Sequence, residues 1–226
     1  MNSEKRFGIK EIFVRVIILM IGLTIAHLGV TLFLLANLGA DPFNVFVQGV
    51  FGTINKAMNF SWLTHGRTHI GISVLIIIIL LFVDKSYIRI GTLLCMICGG
   101  PIIDMFTYFL GHLFSDDSSF IYRLIFNAIG CVILALGMTM VIKSEAGTGP
   151  NDLVAVVISD KLGKKFSIMR VIVDAVFVVI GFILGGTVGV GTVVCAVLVG
   201  PVAGIFMPIS QKIIDHILIL LKIKNE

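Results

Sequence analysis

Long apolar runs separated by short polar stretches make up most of the chain. A helix of roughly twenty apolar residues crosses the hydrocarbon core of a bilayer, which is about 30 Å thick. Six runs reach or approach that length, at about 12–37, 67–83, 90–113, 120–142, 166–184 and 190–207. The pattern predicts an all-α integral membrane protein with six transmembrane helices.

The composition agrees with a membrane protein. With 58% hydrophobic and 13% charged residues and a mean hydropathy of +1.09, the chain has too little polar surface to cover a soluble globule. Its four cysteines all fall inside apolar runs, so a disulfide framework is not expected.

The chain contains one structural unit twice. Residues 1–114 form the first unit and 115–226 the second, within one membrane domain. A shift of 108 positions, and further along a shift of 100, superposes matching residues: Gly22 on Gly130, Gly39 on Gly147, Pro42 on Pro150 and Gly100-Pro101 on Gly200-Pro201. Because each unit has three crossings, the second unit enters the membrane in the opposite orientation. The sequence therefore predicts two three-helix inverted repeats.

A shorter segment follows the first crossing of each unit. These segments, at 43–58 and 151–164, carry charged residues and are too short to span the bilayer, so we expect short broken or re-entrant helices. If they did cross, each unit would have four spans and the units would be parallel. Beyond residue 207, Ile and Leu at near-helical spacing indicate either an amphipathic C-terminal tail on the inner surface or the end of the last span.

Positive charges are unevenly distributed about the six crossings. With the N-terminus inside, 14 of the 17 Lys and Arg residues lie on the inner side, and the central outer loop at 115–119 is acidic. Cytoplasmic loops hold the excess of Lys and Arg, so both termini are expected in the cytoplasm. The net charge of +4 flanks apolar runs and forms no basic stripe with aromatics, which argues against a nucleic-acid partner.

Each first crossing ends in a glycine-proline corner. The glycines permit a close approach of chain or ligand, and the proline suits the first turn of a new helix, which Asp41 can cap. Freed amides at a helix start can bind a polar or anionic ligand, although the corners can equally be tight loops that serve stability. The candidate binding residues are Asp41, Pro42 and Asn44 in the first corner and Gly147, Gly149, Pro150, Asn151 and Asp152 in the second.

A Gly-x-Gly-Pro-x-Asp turn closing the first span, with a Gly-Thr-Val stretch opening the last, resembles the YczE/YyaS/YitT group of bacterial multi-pass membrane proteins. The second half carries the motif from Gly147 to Asp152 and again at 189–193. In the first half, Asp41 and Asn44 replace the second Gly and the Asp. The resemblance covers nearly the whole chain and implies a protein of the bacterial plasma membrane, without implying a substrate.

Ionisable side chains inside the spans are the other candidate site residues, because charge in hydrocarbon is costly. Asp174 lies in the fifth span, four residues after Arg170, so the two share a helix face and can pair. Asp104 lies midway along the third span and His27 lies within the first. A coupling role competes with structural pairing for the two aspartates, and with ordinary packing for His27.

These features favour a small secondary transporter that moves a polar or anionic small molecule by alternating access between the inverted repeats. The alternatives are a substrate-binding membrane subunit of an energised importer, which needs an ATPase partner, and a non-transport accessory protein. No nucleotide-binding loop, zinc-protease helix or Gly-x-Ser-x-Gly motif occurs, so neither enzyme activity nor a cofactor nor a metal site is expected. The bilayer and a solute are the expected partners, and small-residue faces also suit a homodimer.

Overall fold

The computed structural model of the chain describes residues 8–58, 63, 65–114, 118–221 and 223. Eight α-helices and no strand occur among those residues. The helices are α1 (Ile9–Ala36), α2 (Pro42–Met58), α3 (His65–Asp84), α4 (Ile90–Leu110), α5 (Phe120–Lys143), α6 (Pro150–Leu162), α7 (Phe166–Ile183) and α8 (Val190–Leu220). Single turns of 3-10 helix, Lys85–Tyr87 and Gly111–Leu113, follow α3 and α4.

Six of the helices in the described part of the chain are long and apolar enough to cross a membrane: α1, α3, α4, α5, α7 and α8. Many of their large apolar side chains are exposed, as expected for helices whose outer faces contact lipid. The prediction of an all-α protein with six helices that can span a membrane is therefore confirmed. The short helices α2 and α6 have 17 and 13 residues.

The last helix extends well beyond the predicted apolar run. α8 continues through Pro208 and includes 31 residues. On its C-terminal part, Ile214 and Leu218 are buried and pack with Ile18 of α1. Residues 208–220 are thus the continuation of α8, and one side of this part is covered by α1.

The first helix of each half, α1 or α5, lies at the centre of the fold, and the two helices approach each other at glycines. A Cβ placed on Gly22 would lie 3.0 Å from the carbonyl oxygen of Gly137, and a Cβ on Gly29 would lie 2.5 Å from that of Gly130. The partner number falls as the α1 number rises, so α1 and α5 run antiparallel. Any side chain at Gly29 would overlap the α5 backbone, and this small residue is therefore what allows the close crossing.

Backbone hydrogen bonds tie the corner of each half to the other half. The amide of Gly91, at the start of α4, donates to the carbonyl of Ala146 at 2.9 Å. The amide of Gly191, at the start of α8, donates to the carbonyl of Leu38 at 2.8 Å. Each corner therefore contacts the beginning of the last helix of the opposite half.

Two arginines make a second pair of ties between the halves. Arg15 of α1 is buried, and its Nη1 donates to the carbonyl of Ser144 beyond α5 at 2.9 Å. Arg123 of α5 donates from Nη1 to the carbonyl of Ala36 at the end of α1 at 3.4 Å. A cation at a helix C-terminus satisfies carbonyls that have no partner within the helix, so each arginine stabilises the end of the other central helix.

The two halves differ in how their last two membrane helices pack. α7 lies along α8, and a Cβ on Gly200 would come within 2.5 Å of Val171 Cγ2 and 2.7 Å of the Ser167 carbonyl oxygen. α3 makes almost no contact with α4. An added Cβ on Gly100, the counterpart of Gly200, would meet no atom within 4 Å.

Candidate functional site

Each central helix ends in a corner that requires glycine. Gly39 has a φ of 128° and Gly147 a φ of 140°, values that side chains rarely tolerate. A Cβ on Gly39 would also lie 2.6 Å from Thr192 Oγ1, and one on Gly147 would lie 2.5 Å from the amide nitrogen of Thr92. Both corners are thus held against the start of a membrane helix.

The first corner is closed by its own side chains. The amide of Asn44 donates to Asp41 Oδ1 at 3.2 Å, and Asn44 Nδ2 donates to Asp41 Oδ2 at 2.6 Å. Asp41 therefore caps α2, as predicted, and Pro42 is the first residue of that helix. Both carboxylate oxygens of Asp41 are used within the corner.

The second corner has a different start. α6 begins at Pro150 after Gly149, which offers no side chain as a cap. Asn151 and Asp152 are half-buried residues of the first turn. A carboxylate is favoured there by the helix dipole. Asp152 nevertheless points toward α7, and this opens a polar contact that the first corner does not have.

Arg170 of α7 lies between two carboxylates. Its Nε donates to Asp174 Oδ2 at 2.9 Å, and its Nη1 donates to Asp152 Oδ1 at 2.5 Å. The side chains of Arg170, Asp174 and Asp152 are only 7%, 1% and 18% exposed to solvent, relative to the fully exposed side chain. The predicted pairing of Arg170 with Asp174 is confirmed, and Asp152 joins it from the neighbouring helix. These three residues are called the Arg170 cluster below.

The Arg170 cluster has one guanidinium for two carboxyl groups. Asp174 Oδ1 is buried and has no hydrogen-bond partner among the described residues. Leaving a buried neutral polar group without a partner costs about 1–3 kcal/mol, and a charged one costs more. The cluster therefore has the chemistry to take up a proton, a cation or a polar group of a ligand.

Further polar residues surround the cluster. Asp41 lies close enough to interact electrostatically with Asp174, and His27 and Cys95 lie close enough to interact with Asp152. The Nδ1 of His27 donates to the carbonyl of Leu23 at 2.8 Å within α1. This bond leaves the other ring nitrogen, Nε2, facing α4, where a Cβ on Gly99 would lie 2.7 Å from it.

Asp104 is separate from these residues. It lies on an exposed face of α4, and no described residue forms a hydrogen bond or ion pair with it. The sequence could not predict this separation, because the face of a helix that meets its neighbours depends on the packing of distant segments. The counterpart of Asp104 in the second half is Gly204, which lies on the face of α8 that packs against α7.

Two polar residues that were not predicted as site residues are buried without partners among the described residues. They are Thr148, through Oγ1, and Asn127, through both side-chain atoms. Thr148 lies between the two glycines of the second corner, and a lone hydroxyl within such a motif was a usable signal. Asn127 is a single amide in an apolar span. A Cβ on Gly191 would lie 2.7 Å from its Nδ2.

A metal ion needs several converging side chains as ligands. No three His, Cys, Asp or Glu side chains in the described part of the chain converge in a way that suits a metal ion. The four cysteines are free thiols within the helices. Proton uptake, ion binding and hydrogen bonding to a solute are the chemistry that the arrangement offers.

Six long apolar helices, with a buried polar cluster among the helices that pack on α7, are typical of a multi-pass helical membrane protein. More specifically, the chain belongs to the family of unknown function DUF6198, whose model matches residues 13–208. This membership agrees with the resemblance predicted from the glycine-proline corners. No solved structure matches the chain.

Three bacterial proteins are similar to the chain over most of its length. The uncharacterized protein YyaS of Bacillus subtilis is 28% identical over 85% of this chain and 92% of its own length. The uncharacterized membrane protein YczE of the same organism is 27% identical over 86% of each chain. An uncharacterized protein of Haemophilus influenzae is 28% identical over 87% of this chain and 84% of its own.

Proposed function

We propose that the protein is a small secondary transporter in the bacterial plasma membrane, with both termini in the cytoplasm. In this proposal two inverted three-helix repeats alternately expose a central polar site to the two sides. The Arg170 cluster, with His27 nearby, is the site. No enzymatic step is involved.

The reciprocal contacts between the halves are the observation that carries the proposal. Gly22 meets Gly137, and their counterparts Gly130 and Gly29 meet each other. The backbone hydrogen bonds of the corners form a matching pair of the same kind, and so do the hydrogen bonds from the two arginines. In each pair, replacing both residues by their counterparts in the repeat turns one bond into the other. A two-fold axis between antiparallel α1 and α5 accounts for all these pairs at once. This supports an inverted arrangement of the repeats.

The charge of the site supports a polar solute that is neutral or cationic. Asp152 and Asp174 share one guanidinium, and Asp41 adds a third carboxylate nearby. The prediction of an anionic solute gains no support from this balance, because surplus carboxylates repel anions. When Asp174 is ionised, its unpartnered oxygen can accept a hydrogen bond from a hydroxyl, amide or amine group of a solute.

The difference between the two helix pairs supports a movement. In the proposed cycle the protein has two states. In the state described here α7 packs against α8 and α3 stands apart from α4. In the other state α3 packs against α4 and α7 separates from α8. The shift of 100 that pairs Gly100 with Gly200 also pairs Arg67 with Ser167 and Asp104 with Gly204. Closure would bring Arg67, near the outer end of α3, to Asp104 of α4. The described state is then open toward the outside.

The test is solute transport by the purified protein in proteoliposomes. A thermal-shift screen of ions, amino acids, vitamins and drugs first identifies the solute. We expect Asp174→Asn and Asp152→Asn to abolish its uptake, because each replaces an ionisable carboxyl group of the site by an amide, while the detergent-solubilised variants stay folded. Asp160→Asn, which changes an exposed carboxylate outside the cluster, is the matched control and should transport normally.

Two outcomes would overturn this proposal. Unchanged transport by both cluster variants would remove the Arg170 cluster from the mechanism. Transport that appears only when an ATPase co-purifies would identify a subunit of an energised importer.

A further inference from the structure

The two carboxylate oxygens of Asp174 have very different surroundings. Oδ2 accepts the Nε hydrogen of Arg170 at 2.9 Å. Oδ1 is buried and has no hydrogen-bond partner among the described residues. The residue is the ninth of α7, about 12 Å from the first residue of that helix at 1.5 Å per residue, and its side chain keeps 1% of its exposure.

The charged and titratable groups around Asp174 come from every helix that packs against α7. α7 supplies Arg170, α6 supplies Asp152, the start of α2 supplies Asp41, and α8 supplies Cys195. Arg170 is the one cation in this set, and it is shared with Asp152. If all three carboxylates were ionised, the buried site would carry a net negative charge, which is unfavourable at low dielectric.

Asp174 differs from the two other carboxylates in its position along a helix. Asp41 caps α2, and both of its oxygens accept hydrogen bonds from Asn44. Asp152 lies in the first turn of α6. Both lie at helix starts, where backbone amides have no partner within the helix. Asp174 lies inside a helix, where its peptide groups are bonded to one another, and it has no such support.

We propose that Asp174 holds a proton on Oδ1 in this state and that its release is the step that couples transport to the proton gradient. The proton comes from a hydronium ion on one side, which leaves as water, and the carboxylate becomes a neutral carboxylic acid that keeps its bond to Arg170. On the other side the acid returns the proton to water. The coupling part of this inference rests on the proposed transport, whereas the proton site does not.

Infrared difference spectroscopy of the purified full-length protein measures the proton site directly. A buried protonated carboxyl group has a C=O stretching band that ionised carboxylates lack. On raising the pH from mildly acidic to alkaline, we expect one such band to disappear from the wild-type spectrum. Asp174→Asn should lack the band at every pH, Asp174→Glu should retain a shifted band, and Asp104→Asn should show the wild-type band.

The outcomes separate this inference from the transport proposal. A wild-type protein without the band, or a band that persists in Asp174→Asn, would overturn the proton site whatever the transport assay gives. The band with no transport of any solute would leave the proton site standing and refute the proposed function. The band together with solute uptake that ignores an imposed pH gradient would refute the coupling step.

Discussion

The pair α7–α8 and the pair α3–α4 occupy equivalent places in the two halves but differ in packing. α7 lies close along α8, with Val171 and the Ser167 carbonyl against Gly200. α3 and α4 stand apart, and the face of α4 around Gly100 is open. Both last helices carry a Gly-Pro pair at the matching position, so the shared motif does not by itself decide whether the pair is closed.

The residues that line the two faces explain how one pair can be closed and the other open. α8 presents Gly200 and Gly204 to α7, and a Cβ on Gly204 would lie 2.9 Å from Ser167 Cβ. α4 presents Asp104 at the corresponding place. A bare carboxylate makes a poor contact with an apolar helix but a good one with Arg67. In the proposed cycle we therefore expect a tight apolar closure between α7 and α8 and a charged, weaker closure between α3 and α4.

We expect the largest difference in stability between two variants that place a leucine at Gly200, where α7 packs on α8, and at Gly100, where α3 stands apart from α4. Gly200→Leu should lower the free energy of unfolding by about 1–3 kcal/mol, because its side chain would overlap Val171 and the α7 backbone. An added Cβ at Gly100 meets no atom within 4 Å, so Gly100→Leu should leave the melting temperature unchanged or raise it, since leucine favours helix more than glycine does.

Transport completes this comparison. Both leucine variants should lose uptake, because Gly200→Leu cannot close one pair and Gly100→Leu cannot close the other. Normal uptake by Gly100→Leu would contradict the closure of α3 on α4. Equal melting temperatures for the two variants would contradict the difference in packing.

Charge changes at Arg67 and Asp104 give a smaller effect. An exposed ion pair contributes roughly 0.2–1 kcal/mol, so Arg67→Gln or Asp104→Asn should slow uptake by up to about fivefold. The exchange of both charges, Arg67→Asp with Asp104→Arg, should recover part of the rate. If the uptake rate of the double variant is reduced by the product of the two single-variant reductions, the two residues do not interact during the cycle.

Local patterns predicted the helices and one part of the site. The apolar runs predicted the six long helices, and the spacing of four residues predicted the pairing of Arg170 with Asp174, because both features lie within single segments. The contact of Asp152 with Arg170 joins two helices, so no spacing within one segment indicated it. The C-terminal boundary of α8 could not be predicted, because a proline such as Pro208 can either end a membrane helix or be accommodated within it.

The central claim is that the two halves are inverted, and the sidedness of the corners tests it most directly. Asn37 and Glu145 are counterparts at the ends of α1 and α5, both in the left-handed conformation with φ values of 52° and 54°. Asn37→Cys and Glu145→Cys, each expressed in intact cells, are labelled with a membrane-impermeant maleimide. The four native cysteines lie within the helices, and the unsubstituted protein should stay unlabelled. The inverted arrangement predicts that Cys at 37 reacts from outside and Cys at 145 reacts only after the cells are opened; labelling of both from the same side would contradict it.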